Sequence, residues 1–181
     1  DFTMAFDREV PLLPVFVWFY ILAFPFWAVG YLLATRRGKD MFYRFVATDL
    51  TIHFICFICF ILIPTTNIRP EIAGNTLSEK ILALVYSLDG GNSPSNLFPS
   101  IHCYVSWMCW KGVEGSEKVP KWYQRFSLVF AILIIISTQV LKQHYIVDAA
   151  AALLLVEFFW RFYQKGQRHK WVVHIFSHKK K

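Results

Sequence analysis

The chain has 181 residues, of which 56% are hydrophobic and 18% aromatic, and its formal net charge is +7. A water-soluble core of this size does not need so large an apolar fraction, so the composition argues against a soluble domain and indicates a membrane protein. The charge does not indicate a nucleic-acid partner, because most basic residues are gathered in alternate segments between apolar stretches.

Fifteen of the 19 Lys and Arg residues fall within three segments, 36–44, 111–125 and 161–181. Cytoplasmic loops of membrane proteins collect Lys and Arg, so we expect these segments on the cytoplasmic side and the other connections on the outer side. The terminal Lys179, Lys180 and Lys181 either attract anionic lipid or, as we favour, only reinforce this orientation.

Two long apolar stretches at the start of the chain are predicted to be transmembrane helices, which need about 20 residues each. Residues 10–35 carry no charge, which predicts a helix over 11–34. Residues 45–68 carry only Asp49, which predicts a second helix over 41–63.

The longest connection, 65–96, has apolar residues at helical spacing between residues 77 and 88, which predicts a short amphipathic helix on the outer membrane surface. Three further transmembrane helices are predicted over 97–113, 123–141 and 143–163. The predicted fold class is therefore an all-α polytopic membrane bundle, a single domain over 1–181 with five transmembrane helices. Because the N-terminus is expected outside, a sixth helix before residue 1 stays an open alternative.

Ser100 follows Pro99 and directly precedes an apolar run, which is the position of a helix N-cap. The free N–H groups of Ile101 and the next residues would then point outward and bind an anion together with the Ser100 hydroxyl. His102 lies beside this helix end and could donate a proton to a leaving oxygen. The alternative is a capping serine followed by an incidental histidine.

His144 and Asp148 are four residues apart at the start of the last predicted helix, so we expect them on one face, with the carboxylate bonded to a ring nitrogen. That bond would fix the tautomer and make the other nitrogen more nucleophilic. Asp148 lies among apolar residues, where an ionisable group in a membrane is costly and is a functional candidate. A purely structural His–Asp hydrogen bond is the alternative.

Two cations are expected on the outer side near these residues. Arg69 has a guanidinium suited to phosphate oxygens, although it could instead be a solvated loop residue paired with Glu71. Lys142 could also reach a phosphate, or only extend its ammonium towards the interface.

Several other polar groups are interpreted as structural. Asp49 and His53 lie halfway along the second helix, where mutual pairing is favoured over the lining of a polar access path. Cys56 and Cys59 have CxxC spacing without a partner pair, so we predict packing, no metal and no cofactor. The histidines of the basic tail are interpreted as interfacial, and they are His169, His174 and His178.

Three of these pieces resemble the three-part signature of the type 2 phosphatidic acid phosphatase (PAP2) superfamily. They are Arg69-Pro70, then Pro99-Ser100-Ile101-His102, then Ser137-Thr138 followed at the matching spacing by His144 and Asp148. The resemblance covers the second to the last predicted helix in order.

The resemblance implies a role for each matching residue. His144 would attack phosphorus and form a phosphohistidine, with Asp148 orienting its ring. His102 would protonate the leaving group and then activate water. The phosphoryl oxygens, where charge builds in the transition state, would be bound by Arg69, Ser100 and the amide of Ile101.

The sequence departs from the family pattern at two positions. The lysine expected seven residues before the arginine is Leu62, and the arginine expected after the serine is Thr138. We expect Lys142 to replace the lost positive charge at the phosphate site. Ser137, Thr138 and Asn96 are further candidates for that site.

The resemblance implies a metal-independent integral-membrane phosphatase that hydrolyses a phosphomonoester or pyrophosphate of a lipid at the outer face of the cell membrane. The Phe-Pro-Ser-Ile-His and Gln-His-Tyr segments are similar to the branch with inositol phosphorylceramide and sphingomyelin synthases, so transfer of a phosphoryl headgroup to an alcohol is the first alternative. A non-catalytic lipid-binding or transport protein is the second. The expected partners are the phosphorylated lipid and the bilayer, with no nucleic acid.

Overall fold

The computed structural model describes residues 3–91 and 94–177, so His178 and the three terminal lysines lie outside the described residues. Within them the chain is all-helical and has no strand, only an isolated antiparallel bridge between Thr66 and Ser95. The described helices are α1 (Ala5–Glu9), α2 (Val17–Ile21), α3 (Ala23–Ala34), α4 (Lys39–Leu62), α5 (Leu77–Leu88), α6 (Ile101–Val113), α7 (Lys121–Val140), α8 (Ile146–Gln164) and α9 (Lys170–Ser177).

The first predicted transmembrane helix is present but interrupted. A 3₁₀ turn at Pro14–Phe16 leads into α2, which ends at Ile21, and α3 begins two residues later. Pro25 explains the break, because it has no N–H to donate to the Ile21 carbonyl and its ring clashes with that group. The combined segment Pro14–Arg37 is still long and apolar enough to cross a membrane.

Three segments of the described chain have the length and composition of membrane spans: Pro14–Arg37, Lys39–Leu62 and Lys121–Val140. The other two predicted spans, α6 and α8, lack the length or the composition of a membrane span, each for its own reason. α6 has only 13 residues because it starts at its Ser100 cap. α8 has 19 residues but carries three charged side chains, Asp148, Glu157 and Arg161.

α6 is the central helix of the bundle and packs against α3, α4, α7 and α8. Its side chains Cys103, Tyr104, Met108 and Cys109 are fully buried. Gly30 lets α3 approach closely, because a Cβ at this position would lie 2.6 Å from Cys109 Sγ. The middle and the C-terminal half of α6 are therefore closely packed among their neighbours.

A helix, α5, is present within the long connection 65–96. Leu82 and Tyr86 are buried, whereas Leu84 and Leu88 are exposed. The buried face also makes a polar contact, since the Tyr86 hydroxyl donates to the Leu141 carbonyl at 2.6 Å. α5 thus packs against α2 and the end of α7.

The basic connections meet at one end of the bundle. Arg37 Nη1 donates to the Lys111 carbonyl at 3.0 Å, and Arg44 Nη1 donates to the Tyr163 and Gln164 carbonyls at 2.7 Å each. Because α4, α6, α7 and α8 run between the two ends, the starts of α6 and α8 lie together at the opposite end.

Candidate active site

Two histidines from distant parts of the chain meet at the end of the bundle away from the basic connections. His102 is the second residue of α6, and His144 lies in the turn between α7 and α8. Their ring centroids are 6.3 Å apart. This separation places the two rings within contact distance of each other.

His144 is paired with Asp148, although not in the way predicted. His144 precedes α8 instead of lying in its first turn, because Tyr145 is the N-cap. Its Nδ1 is 3.4 Å from Asp148 Oδ2, and that oxygen also accepts the N–H of Tyr145 at 3.0 Å. Asp148 is only 1% exposed. The carboxylate therefore caps α8 and lies beside one edge of the imidazole, whose Nδ1 makes no hydrogen bond with the described residues.

The carbonyl of Thr138 shapes the turn that carries His144. It accepts the N–H of Gln143 at 2.9 Å and the N–H of His144 at 3.1 Å. Because Thr138 is in the last turn of α7, these bonds fix the His144 backbone relative to that helix. The turn is thus tied on one side to α7 and on the other, through Asp148, to α8.

The predicted N-cap at Ser100 is confirmed, since its Oγ accepts the N–H of Cys103 at 3.3 Å. The Ser100 N–H donates to the Asp148 carbonyl at 3.3 Å, which ties the start of α6 to α8. Ile101 is the first residue of α6, so its N–H belongs to the free helix end that attracts anions.

Three aromatic side chains from the first span surround the His102 ring. Tyr20 stacks on it at 4.3 Å between centroids, Trp27 lies at 5.0 Å and Phe24 at 6.0 Å. Within the described chain, the buried Nε2 of His102 has no hydrogen-bond partner. A fixed ring with a free polar atom is suited to proton transfer with a bound molecule. The sequence alone did not predict this cage, although its three aromatics are spaced four and three residues apart along the chain.

Arg69 is buried, and its guanidinium binds the chain that follows α5. Nη1 donates to the carbonyls of Asp89 and Gly91 at 2.8 and 3.0 Å, and Nη2 donates to the Asp89 carboxylate at 2.5 Å. Nη2 also donates to the side-chain oxygen of Gln143, the neighbour of His144. The acidic partner is thus Asp89 and not Glu71, and Arg69 supports the loops around the histidines.

Lys142 is engaged by the N-terminal segment. Its Nζ donates to the carbonyls of Asp7 and Val10, at 2.8 Å for Asp7. Partial burial lowers the pKa of Lys142, and the negative charge of Asp7 opposes this shift. A cavity of about 400 Å³ lies here, lined in part by Lys142, Arg69 and Tyr145.

Asp7 is a site residue that sequence analysis did not single out. It is 7% exposed, and its Oδ1 accepts the N–H of Ile146, in the first turn of α8, at 2.9 Å. The same residue therefore contacts both Lys142 and the helix that follows His144. Its position in a polar segment before the first span gave no local signal of this role.

The remaining candidates contact helix backbone, neighbouring side chains or solvent. The hydroxyls of Ser137 and Thr138 donate to the carbonyls of Ile134 and Ile135, at 2.6 and 2.8 Å. Asn96 is exposed and has a φ of 62°, a conformation that asparagine tolerates, so it shapes the turn before α6.

The polar groups in the middle of α4 form a separate cluster. Asp49 Oδ1 accepts the Tyr31 hydroxyl at 2.5 Å and lies 3.6 Å from His53 Nδ1. The Tyr104 hydroxyl contacts the His53 ring. These contacts agree with structural pairing. Among the described residues, no group of three or more His, Cys, Asp or Glu side chains could hold a metal ion.

Comparison with known proteins gives one match. A family model described as the PAP2 superfamily matches residues 3–161, which include α1, both histidines and Asp148. No curated protein and no solved structure matches the chain.

Proposed function

The chain belongs to the PAP2 superfamily, and from this premise we propose that it hydrolyses a phosphomonoester or pyrophosphate of a membrane lipid. Membership supports a membrane protein of the lipid phosphatase or phosphotransferase type. The observation that carries the proposal is the meeting of His102 and His144 at 6.3 Å, with Asp148 Oδ2 at 3.4 Å from His144 Nδ1.

The proposed reaction has two steps. In the first, His144 Nε2 attacks phosphorus, the bond from phosphorus to the leaving oxygen breaks, and His102 gives that oxygen a proton. In the second, His102 takes a proton from water, the water oxygen attacks the phosphohistidine, and inorganic phosphate leaves. In the proposed complex, the 3.4 Å approach of His144 Nδ1 to Asp148 Oδ2 closes to a hydrogen bond, which directs Nε2 towards the substrate.

The phosphoryl oxygens are proposed to lie at the start of α6. The Ser100 hydroxyl and the N–H of Ile101 donate there, and the helix dipole favours negative charge. Arg69 supplies a positive charge that the family pattern shares, and Lys142 supplies a second one in place of the cations that the pattern has at the positions of Leu62 and Thr138.

The proposed arrangement in the membrane has five spanning helices, with α6 and α8 completing the set. The end that carries the basic connections would face the cytoplasm, so the histidines would face the outer side of the cell membrane. α5 would lie at the outer membrane surface.

Transfer to an alcohol is the second candidate. It is favoured by the Phe-Pro-Ser-Ile-His segment. An apolar groove of about 400 Å³ lies beside Phe98 and Pro99, lined on its other sides by Ile55 and Leu154. A groove of this kind between α4 and α8 could hold the acyl chain of a lipid substrate or acceptor.

The test uses purified protein in detergent with EDTA and short-chain phosphorylated lipids, with and without candidate alcohols. We expect release of inorganic phosphate, its loss in His144→Ala, and a reduction of roughly 10²–10⁴-fold in His102→Gln. His174→Ala, an exposed histidine on α9, is the matched control. Product that forms only with an alcohol, without free phosphate, would favour transfer, and undiminished hydrolysis in His144→Ala would exclude the proposed nucleophile.

A further inference from the structure

A second cavity, of about 520 Å³, lies at the end of the bundle opposite the two histidines. It forms where α9 folds back against the start of α4. Its lining is mostly basic and aromatic, and includes Lys39, Arg44, His169, Lys170, Tyr43 and Trp171. The reaction proposed above uses none of these residues.

Arg44 builds the frame of this cavity. Its Nη1 donates to the last carbonyls of α8, and its Nη2 donates to the Gly166 carbonyl at 3.1 Å. A cation at a helix C-terminus is favourable because of the helix dipole. These bonds fix the turn from α8 into α9 and hence the distance between α9 and α4.

The acidic lining residue Asp40 is already neutralised within the wall. Arg44 Nε donates to Asp40 Oδ2 at 2.7 Å, and His169 Nε2 lies 2.8 Å from Asp40 Oδ1. His169 is 3% exposed, and its buried Nδ1 has no hydrogen-bond partner among the described residues.

Two lysines at the cavity are available to a ligand. Lys39 and Lys170 are both exposed, and neither ammonium makes a hydrogen bond or ion pair with the part of the chain that the structure describes. Together with the neutralised carboxylate, they leave an excess of positive charge. A cavity of this size and charge fits a phosphate-bearing group.

We propose that this cavity binds the phosphate of an anionic phospholipid headgroup. Basic pockets between helices at the cytoplasmic ends of membrane proteins bind such headgroups. Tyr43 and Trp171 are side chains that favour the membrane interface. The exposed Ile175 and Phe176 of α9 supply an apolar surface for the adjoining acyl chains.

The test compares binding of short-chain phosphatidylglycerol and phosphatidylcholine to the purified protein by native mass spectrometry. We expect a preference for phosphatidylglycerol that falls roughly tenfold or more in Lys39→Gln/Lys170→Gln. The matched control, Lys118→Gln/Lys121→Gln, removes the same charge from exposed positions at the same end and is expected to keep the preference.

Two results would overturn the proposal. If both double variants lost the preference for phosphatidylglycerol equally, the lipid would be attracted by the overall positive charge of this end and not by a specific site. Inorganic phosphate that binds as tightly as phosphatidylglycerol and displaces it would show that the ligand is free phosphate and not a lipid headgroup. Because both lysines are exposed, the variants are expected to fold, and gel filtration checks this.

Discussion

Asp7 of α1 and Ile146 of α8 are joined by a hydrogen bond in which Asp7 Oδ1 accepts the Ile146 N–H at 2.9 Å. A carboxylate at a helix N-terminus accepts a hydrogen bond from a free N–H group, and its negative charge interacts favourably with the helix dipole. The Asp7 backbone carbonyl also holds Lys142 Nζ. One buried residue of the N-terminal segment therefore fixes both sides of the turn that carries His144.

Asp7→Ala is expected to lower the free energy of unfolding by about 1–2 kcal/mol, as for the loss of a helix cap, and to lower kcat because the His144 turn loosens. Asp7→Asn should have a smaller effect, because its amide oxygen can still accept the Ile146 N–H. Melting in detergent and phosphate release measure the two effects. Glu117→Ala, an exposed acid at the other end, is the control. Asp7→Ala with wild-type melting and turnover would show that this contact is dispensable.

Arg69→Lys is expected to lower stability and activity together. The guanidinium makes several bonds around Asp89 and to Gln143 that an ammonium cannot reproduce, and hydrogen bonds to charged groups contribute about 1.5–3 kcal/mol. Asp89→Asn should shift the melting temperature in the same direction. If Arg69→Lys raised KM without changing the melting temperature, the role of Arg69 would be phosphate binding and not support of the loops.

Tyr86 is expected to make the protein less stable as pH rises into the alkaline range. Burial raises the pKa of Tyr86 from 10.0 to about 12, and the nearby guanidinium of Arg69 only partly offsets this. The unfolded chain loses the Tyr86 proton near pH 10 while the folded protein keeps it, so the free energy of unfolding falls as pH rises from about 10 to 12.

Tyr86→Phe tests this dependence. The variant should be less stable than wild type by about 1 kcal/mol below pH 10, because the bond to the Leu141 carbonyl is lost. The two stability curves should then converge and cross between pH 10 and 12, because a pKa raised from 10.0 to about 12 costs wild type more than about 1 kcal/mol. Parallel curves in denaturant titrations across this range would show that another group controls the alkaline loss.

Local signals in the sequence predicted much of this site. The N-cap at Ser100 was predicted from its place before an apolar run. The proximity of His144 to Asp148 was predicted from their four-residue spacing. Other features depend on contacts between distant segments. Asp7 lies 139 residues from its partner Ile146, and the aromatic cage of His102 comes from a different helix. The break at Pro25 was a local signal, but the apolar length of the stretch concealed it.

In the proposed phosphate site, Lys142 takes the place of the missing family cations. Its ammonium is held by the Asp7 and Val10 carbonyls at the cavity that Arg69 and Tyr145 also line. Carbonyl oxygens orient an ammonium without neutralising it, so it can still attract a phosphate. We expect Lys142→Met to raise KM roughly tenfold, because a charged hydrogen bond to phosphate contributes about 1.5 kcal/mol or more.

The pH dependence of KM separates this role from a structural one. Since burial lowers the pKa of Lys142 below its ordinary value of 10.5, the folded protein loses this charge at a lower pH than a free lysine does. Wild-type KM should therefore rise as pH increases towards 10.5, whereas Lys142→Arg, which stays charged, should keep a low KM over the same range. The contribution of Lys142 to the free energy of unfolding should also rise over this range, because deprotonation relieves the cost of burying the ammonium. Lys142→Met with wild-type KM and turnover would mean that the missing cations are not replaced by this residue.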